Sequence, residues 1–270
     1  MSQEIQGIII NSGLGNQLFM LFAGMSKALD ENKSIIIYLE LSNRTYYFNN
    51  FFQVLNKYIS HNTDNINYSK IYNEPYFHYK KIPEKTEIIR GYFQSYKYFE
   101  HNFEKLIDIL KIRNMQEKNK LLFKSIAIHF RMGDYLTLYD NHTILPTSYY
   151  LNAINELASK ININEYRFII FSEKCNDKII NKYIKILNLN ITFVKIYEIM
   201  PNLTDYEEFL YMSSCDHFII ANSTFSWWAA YLSNKNDDKI IMYPSLWFGP
   251  KLKNNILNDL FPEKWVKINC

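Results

Sequence analysis

Cysteine is nearly absent: Cys175, Cys215 and Cys270 are the only three in 270 residues. They are widely spaced, odd in number and form no CxxC pair, which argues against a disulfide framework and for a reducing compartment. Glycine and proline are also scarce, at seven each, so the chain is neither linker-rich nor collagen-like. No HExxH, EF-hand or paired CxxC pattern occurs. Charge of one sign is lacking too. With 30 basic and 27 acidic residues the net charge is +3, and no long block of like charge appears. That balance does not demand a nucleic-acid or membrane surface, and a small anion held by one or two basic groups suits it as well. The first six residues lack a charged segment followed by an apolar core, so no signal peptide is expected there. The longest apolar-leaning stretch, Phe209 to Leu232, is interrupted by Cys215, Asp216, His217 and Asn222. No transmembrane segment and a cytoplasmic location are therefore the expectations.

Aromatic residues, by contrast, make up 17% of the chain, with 22 Tyr and 19 Phe. Short β-branched runs recur: Gly7–Ile10, Ile35–Leu39, Ile88–Ile89, Ile126–Ile128, Phe168–Phe171, Ile191–Val194, Phe218–Ala221 and Ile240–Tyr243. They are continuous and short, as strands buried on both faces should be. Helical segments are expected between them at Gln17–Glu31, Tyr98–Ile112, Thr147–Ser159, Asp177–Leu187, Tyr206–Ser213 and Phe225–Ser233. This alternation predicts a doubly wound α/β protein with parallel sheets. The polar stretch Arg113–Lys120 marks a boundary near residue 120, giving domains over 1–120 and 121–270. Residues 40–87 are the least readable part.

Four apolar runs feed directly into polar motifs, at the strand ends where such sheets bind ligands. Gly13-Leu14-Gly15-Asn16-Gln17 allows a tight turn and close backbone approach, although a plain turn capped by Asn16 explains it too. His129-Phe130-Arg131-Met132-Gly133-Asp134 carries an always-charged donor fork suited to phosphate, or alternatively a buried Arg–Asp pair. Phe171-Ser172-Glu173 offers a carboxylate that could equally be a solvated loop residue. Asn222-Ser223-Thr224-Phe225-Ser226-Trp227-Trp228 opens a helix whose start suits an anion or simple capping. Gly91-Tyr92-Phe93-Gln94-Ser95 could line a cleft or be a packed loop.

Together these motifs resemble glycosyltransferase family 11, the α-1,2-fucosyltransferases, over nearly the whole chain. The matching segments are Gly13 to Phe19, Gly91 to Phe99, the HxRxGDY signature from His129 to Tyr135, and the block from Tyr211 to Trp228. The resemblance implies a GT-B-like architecture of two Rossmann-like domains, the first on the acceptor side and the second binding a GDP-sugar. It implies transfer of L-fucose from GDP-β-L-fucose, with inversion, to the 2-hydroxyl of a terminal galactoside, forming an α-1,2 linkage. No cofactor and no metal are implied, and the chain has no Asp-x-Asp, the usual metal–diphosphate clamp of metal-dependent sugar transferases. By this resemblance Arg131 binds the diphosphate and stabilises departing GDP, while His129 orients the loop or contacts the diphosphate. Asn16 and Gln17 reach the donor from the first domain. Ser172, Glu173, Asn222, Ser223, Thr224, Phe225 and Ser226 hold phosphate and nucleotide, with Glu173 as the guanosine-binding carboxylate. Tyr92, Gln94 and Tyr96 lie on the acceptor side. Partners would be GDP-fucose and a galactose-terminated glycan, with no nucleic acid.

Two positions depart from the family pattern. Met132 stands where a second Arg is common, and Tyr96 stands where Glu is frequent. The general base is open between Asp134 and His129. Asp134 could instead hold the Arg131 loop, and a cation-like transition state reduces the need for a strong base. Alternatives are a transferase using another GDP-sugar or acceptor, and a non-catalytic nucleotide-sugar-binding module.

Overall fold

The computed structural model describes residues 4–60, 66–187, 189–233 and 238–270. Residues 1–3, on which part of the signal-peptide reading rests, lie outside the described residues. The chain forms two compact units, one of Met1–Asn114 with Asn255–Glu263 and one of Met115–Asn254 with Lys264–Cys270.

The first unit contains strands β1 (Ile5–Ile10), β2 (Ser34–Leu39), β3 (Ile59–Ser60), β4 (Ile71–Asn73) and β5 (Ile88–Arg90). Its helices are α1 (Leu14–Asp30) and α2 (Phe103–Leu110). The sheet order is β3-β2-β1-β5-β4, all parallel. α1 begins three residues earlier than the sequence suggests. Gly13 is its N-cap, so Asn16 lies inside the first turn and is not a cap.

The helix expected over Tyr98–Ile112 is broken. Lys111 takes a left-handed conformation after α2, and α3 (Ile112–Lys118) follows where a polar linker was expected. Gln116 on α3 donates from its amide to Ser213 Oγ and the Leu232 carbonyl, both at 3.0 Å, in the second unit. The division between units therefore falls at Asn114–Met115 rather than near 120. Residues 255–263 return to the first unit. There Asp259 accepts from Lys97 Nζ at 2.6 Å and from the Tyr79 amide at 3.2 Å, while its carbonyl accepts from Ser95 Oγ at 2.7 Å.

The second unit carries β6 (Ser125–His129), α4 (Thr147–Ala158), β7 (Arg167–Phe171), α5 (Asp177–Leu187), β8 (Phe193–Lys195), α6 (Ile196–Ile199), α7 (Asp205–Ser213), β9 (His217–Ile219), α8 (Thr224–Leu232), β10 (Ile241–Pro244) and β11 (Val266–Ile268). Sheet order is β11-β10-β9-β6-β7-β8, all parallel. Winding starts at the centre with β6, runs out through β7 and β8, then returns on the other side with β9. The reversal between β6 and β9 is where doubly wound sheets open a ligand crevice. Both units thus have the parallel, Rossmann-like topology expected of a GT-B-like chain. β8 lies two residues beyond the start of the run Ile191–Val194 at the sheet edge, and β3, β4 and β11 are too short to announce themselves in the sequence.

The tyrosines explain part of the aromatic excess. Adjacent residues of α4 reach the two central strand ends: Tyr149 Oη donates to the Ile220 carbonyl at 2.5 Å, and Tyr150 Oη to the His129 carbonyl at 3.1 Å. Both rings are buried, and Tyr150 stacks on Phe130 with centroids 4.2 Å apart. Tyr150→Phe keeps the ring but strands a buried carbonyl. Its expected cost is about 1–2 kcal/mol, read as a lower urea midpoint with unchanged slope.

Candidate active site

Alternation along β6 and its continuation separates packing from chemistry. Ile126, Ile128, Phe130 and Met132 all enter the hydrophobic core of the second unit. His129 and Arg131 are on the opposite parity. Met132 is 2% exposed, so packing accounts for the absence of a second Arg at that position.

Arg131 is partly exposed and held from two sides. One guanidinium nitrogen donates to Asp134, and the other donates to Glu173 Oε1 at 2.5 Å. Its guanidinium carbon lies 5.0 Å from the Tyr135 ring centroid. Gly133, with φ +22°, lets the turn approach Glu173 so closely that a Cβ would overlap the carboxylate. Glu173 also accepts from Asn176 Nδ2 at 2.8 Å. Expected on resemblance to face a guanosine, Glu173 is placed here as a partner of Arg131.

β6, β7 and β9 lie side by side, with His129 opposite Phe171 and Ile128 opposite Ile219. Just past or at these ends, His129 Nδ1, Ser172 Oγ and Asn222 Oδ1 are buried with no hydrogen-bond partner. An unpaired buried polar atom costs about 1–3 kcal/mol, and three of them lie together at these neighbouring strand ends. Asn222 is otherwise fixed, its Nδ2 donating to the Thr143 carbonyl at 2.8 Å and to the Trp247 carbonyl at 3.1 Å. The helix start beside it has Ser223 as N-cap without a side-chain capping bond. Thr224 and Phe225 are partly exposed there, and the Phe225 ring lies 5.8 Å from His129.

Burial, reinforced by the Arg131 charge, holds the His129 imidazole down to about 3, so it is neutral at physiological pH. Glu208, which the sequence reading did not single out, accepts from the Ser172 amide. Burial, with the charges of Glu173 and Asp205 adding to it, pushes its carboxyl up to about 7. Tyr135 is a second positioning group. Its hydroxyl donates to the Asn222 carbonyl at 3.0 Å and ties the β6 end to the β9 end. Its place in HxRxGDY was the available signal, whereas nothing in the sequence around Glu208 announces it.

One expected donor contact is corrected: Ser226 is fully buried, with its hydroxyl against the carbonyls of Ala221 and Ser223, so it holds its own turn. Gln17 is also fully buried; its Nε2 donates to the carbonyls of Ser12 at 2.7 Å and Thr45 at 2.8 Å, and its Oε1 has no hydrogen-bond partner. In the first unit Asn16 Oδ1 accepts from Gln94 Nε2 at 2.9 Å, which joins one expected donor residue to one expected acceptor residue. Tyr92 is exposed, and Tyr96 is half-buried in a short turn after Ser95. Among the described residues no group of three His, Cys, Asp or Glu side chains is placed to hold a metal ion. None of their helices is long and apolar enough to cross a membrane.

A fixed arginine at the reversal of a doubly wound parallel sheet defines a Rossmann-like α/β protein with its polar strand-end cluster where such sheets open a crevice. The chain belongs to glycosyl transferase family 11, whose family model matches residues 3–269. It is a glycosyltransferase. An α-1,2-colitosyltransferase of Escherichia coli is 29% identical, over 95% of this chain and 96% of its own. A galactoside 2-α-L-fucosyltransferase of Caenorhabditis elegans is 26% identical, over 68% of this chain and 53% of its own. Among solved structures, fucosyltransferase NodZ from Bradyrhizobium has a TM-score of 0.46 at 13% identity, covering 88% of this chain and 97% of that one.

The neutral buried histidine has a testable signature. An unfolded His binds a proton near 6.5, whereas native His129 does so only near 3. Its contribution to stability is therefore present above 6.5 and is lost as pH falls through that window. Glu208 acts in the opposite sense, losing stability as pH rises from 4.5 through about 7. The difference between wild type and His129→Gln isolates the first group. That difference is expected to shrink steadily in melts taken from pH 7.5 to about 5.

Proposed function

We propose that this glycosyltransferase moves L-fucose from GDP-β-L-fucose to the 2-hydroxyl of a terminal galactoside, with inversion, forming an α-1,2 linkage. The observation that carries this reading is Arg131, fixed by Asp134 at the end of β6 beside the unpaired atoms of His129, Ser172 and Asn222. Breaking the bond between fucose and diphosphate leaves negative charge on the departing GDP. A guanidinium stays protonated throughout and presents a planar donor fork, and a site prearranged for that charge favours the transition state. His129, being neutral, offers a ring nitrogen to a phosphate or hydroxyl without adding charge. Its suppressed basicity makes it a poor proton acceptor, and Asp134 is engaged with Arg131. Both facts favour a loose, cation-like transition state in which the acceptor proton leaves late.

A second donor has one observation in its favour: a relative similar over nearly the full length of both chains is an α-1,2-colitosyltransferase. Colitosyl transfer by this chain would use the same diphosphate site, and the two readings separate on the donor.

Arg131→Ala is expected to lower kcat by about 10²–10³-fold with the melting temperature nearly kept, as removal of one preorganised donor does elsewhere. Full activity in that variant rejects the role. With GDP-fucose and lactose, a 2-linked fucosyl product by NMR is the expected outcome, and activity is expected to persist in EDTA. Turnover of GDP-colitose but not GDP-fucose overturns the fucosyl reading. Loss in EDTA with rescue by Mn²⁺ overturns the metal-free one.

A further inference from the structure

Glu74 lies in the segment that the sequence leaves unread. It follows Asn73, the last residue of β4, as Gly91 follows Arg90, the last residue of β5, and those two strand ends pair. The Glu74 amide donates to the Arg90 carbonyl at 2.8 Å. Its side chain then turns onto the neighbouring loop. Oε2 accepts from the amides of Tyr92 at 2.8 Å and Phe93 at 2.9 Å. Gly91 makes this possible, because a Cβ there would overlap the Glu74 side chain. Phe93 is buried in a left-handed conformation with φ +50°, an arrangement that needs outside support. The next residue, Gln94, donates to Asn16. One carboxylate thus fixes the main chain from which Tyr92 and Gln94 project.

The choice of a carboxylate is costly. Oε1 is buried and has no hydrogen-bond partner. Burial pushes the group up to about 7 against the opposing pull of the two amides. Among the described residues no basic side chain pairs with it: Arg90 on the adjacent strand pairs with Glu40, and the phenols of Tyr72 and Tyr98, both pushed up by burial, feel its charge. A carboxylate does give the two amides charge-assisted bonds, about twice as strong as neutral ones.

We propose that Glu74 is a positioning residue for the acceptor: its carboxylate clamps the main chain of Tyr92 and Phe93, and the clamp sets Tyr92 and Gln94 for acceptor binding. This rests on the reading that residues 91–96 face the acceptor. Ionisation tightens the clamp, so acceptor binding improves as pH rises through about 7.

The test uses GDP-fucose and lactose with Glu74→Ala, Glu74→Gln and, as a control on the acceptor reading, Gln94→Ala. Glu74→Ala is expected to raise the lactose KM about tenfold, the size of one or two lost hydrogen bonds, and to leave the GDP-fucose KM unchanged. Glu74→Gln, which keeps an oxygen for the two amides, is expected to restore most of that loss. The wild-type lactose KM is expected to fall as pH rises through about 7, and to be flat in Glu74→Gln. Amide exchange at Tyr92 and Phe93 is expected to quicken in Glu74→Ala. An unchanged lactose KM in Glu74→Ala, with a raised one in Gln94→Ala, overturns the clamp alone. No change in either variant removes the acceptor reading and the proposal with it. A Glu74→Gln that loses kcat at constant lactose KM overturns positioning in favour of proton transfer. Should Glu74→Ala fail to fold, a pH limb that persists in Glu74→Gln overturns the proposal.

Discussion

The alternation from Ile126 to Met132 is the constraint on which the second unit depends. A strand buried on both faces in a parallel sheet must send every second side chain into one packed layer. Ile126, Ile128, Phe130 and Met132 fill that layer, which leaves His129 and Arg131 on the other parity at the strand's end. A one-residue slip would bury the guanidinium and expose Phe130. Tyr150 guards against the slip from the core side, by stacking on Phe130 and bonding the His129 carbonyl. Tyr135 does so from the site side, by bonding the Asn222 carbonyl. Packing and site are therefore two outcomes of one register.

This also explains which features were legible in the sequence. Ile126–Ile128 and Phe168–Phe171 are unbroken apolar runs, and a run of that kind has few places to go other than the middle of a parallel sheet. The motifs that follow them inherit a location from that fact. Arg131, His129 and Asn222 could be placed at strand ends before any geometry was known. Ser226 could not be sorted from its neighbours, because a polar residue at a helix start serves its own backbone as readily as a ligand. The Lys111 break was hidden for a related reason: one left-handed residue between two good helical stretches leaves no periodicity signal. Met132 departs from the family pattern in chemistry but fits the parity of its strand, which sends it into the core.

Glu74 and Glu208 were invisible for a deeper reason. Each matters through backbone amides that it accepts from, on residues far away in sequence or on another element. Local pattern carries no trace of such a bond. What reveals them is burial of a charge without a cation, a property of the assembled fold. Both lie just beyond or against parallel strand ends, one in each unit, and both hold a loop that carries expected site residues. The two units thus solve the same mechanical problem, a loop that must be stiff at a strand's end, with the same device.

Arg131 is bound by two carboxylates where one would orient it. Asp134, three residues away on the same turn, is the fixed partner. Glu173 lies two residues past the end of β7, is 43% exposed, and occupies the second guanidinium nitrogen. The guanidinium is therefore satisfied at both ends by carboxylates of its own chain. Any anion that reaches it must compete with Glu173, so the more exposed of the two pairs sets how available this cation is.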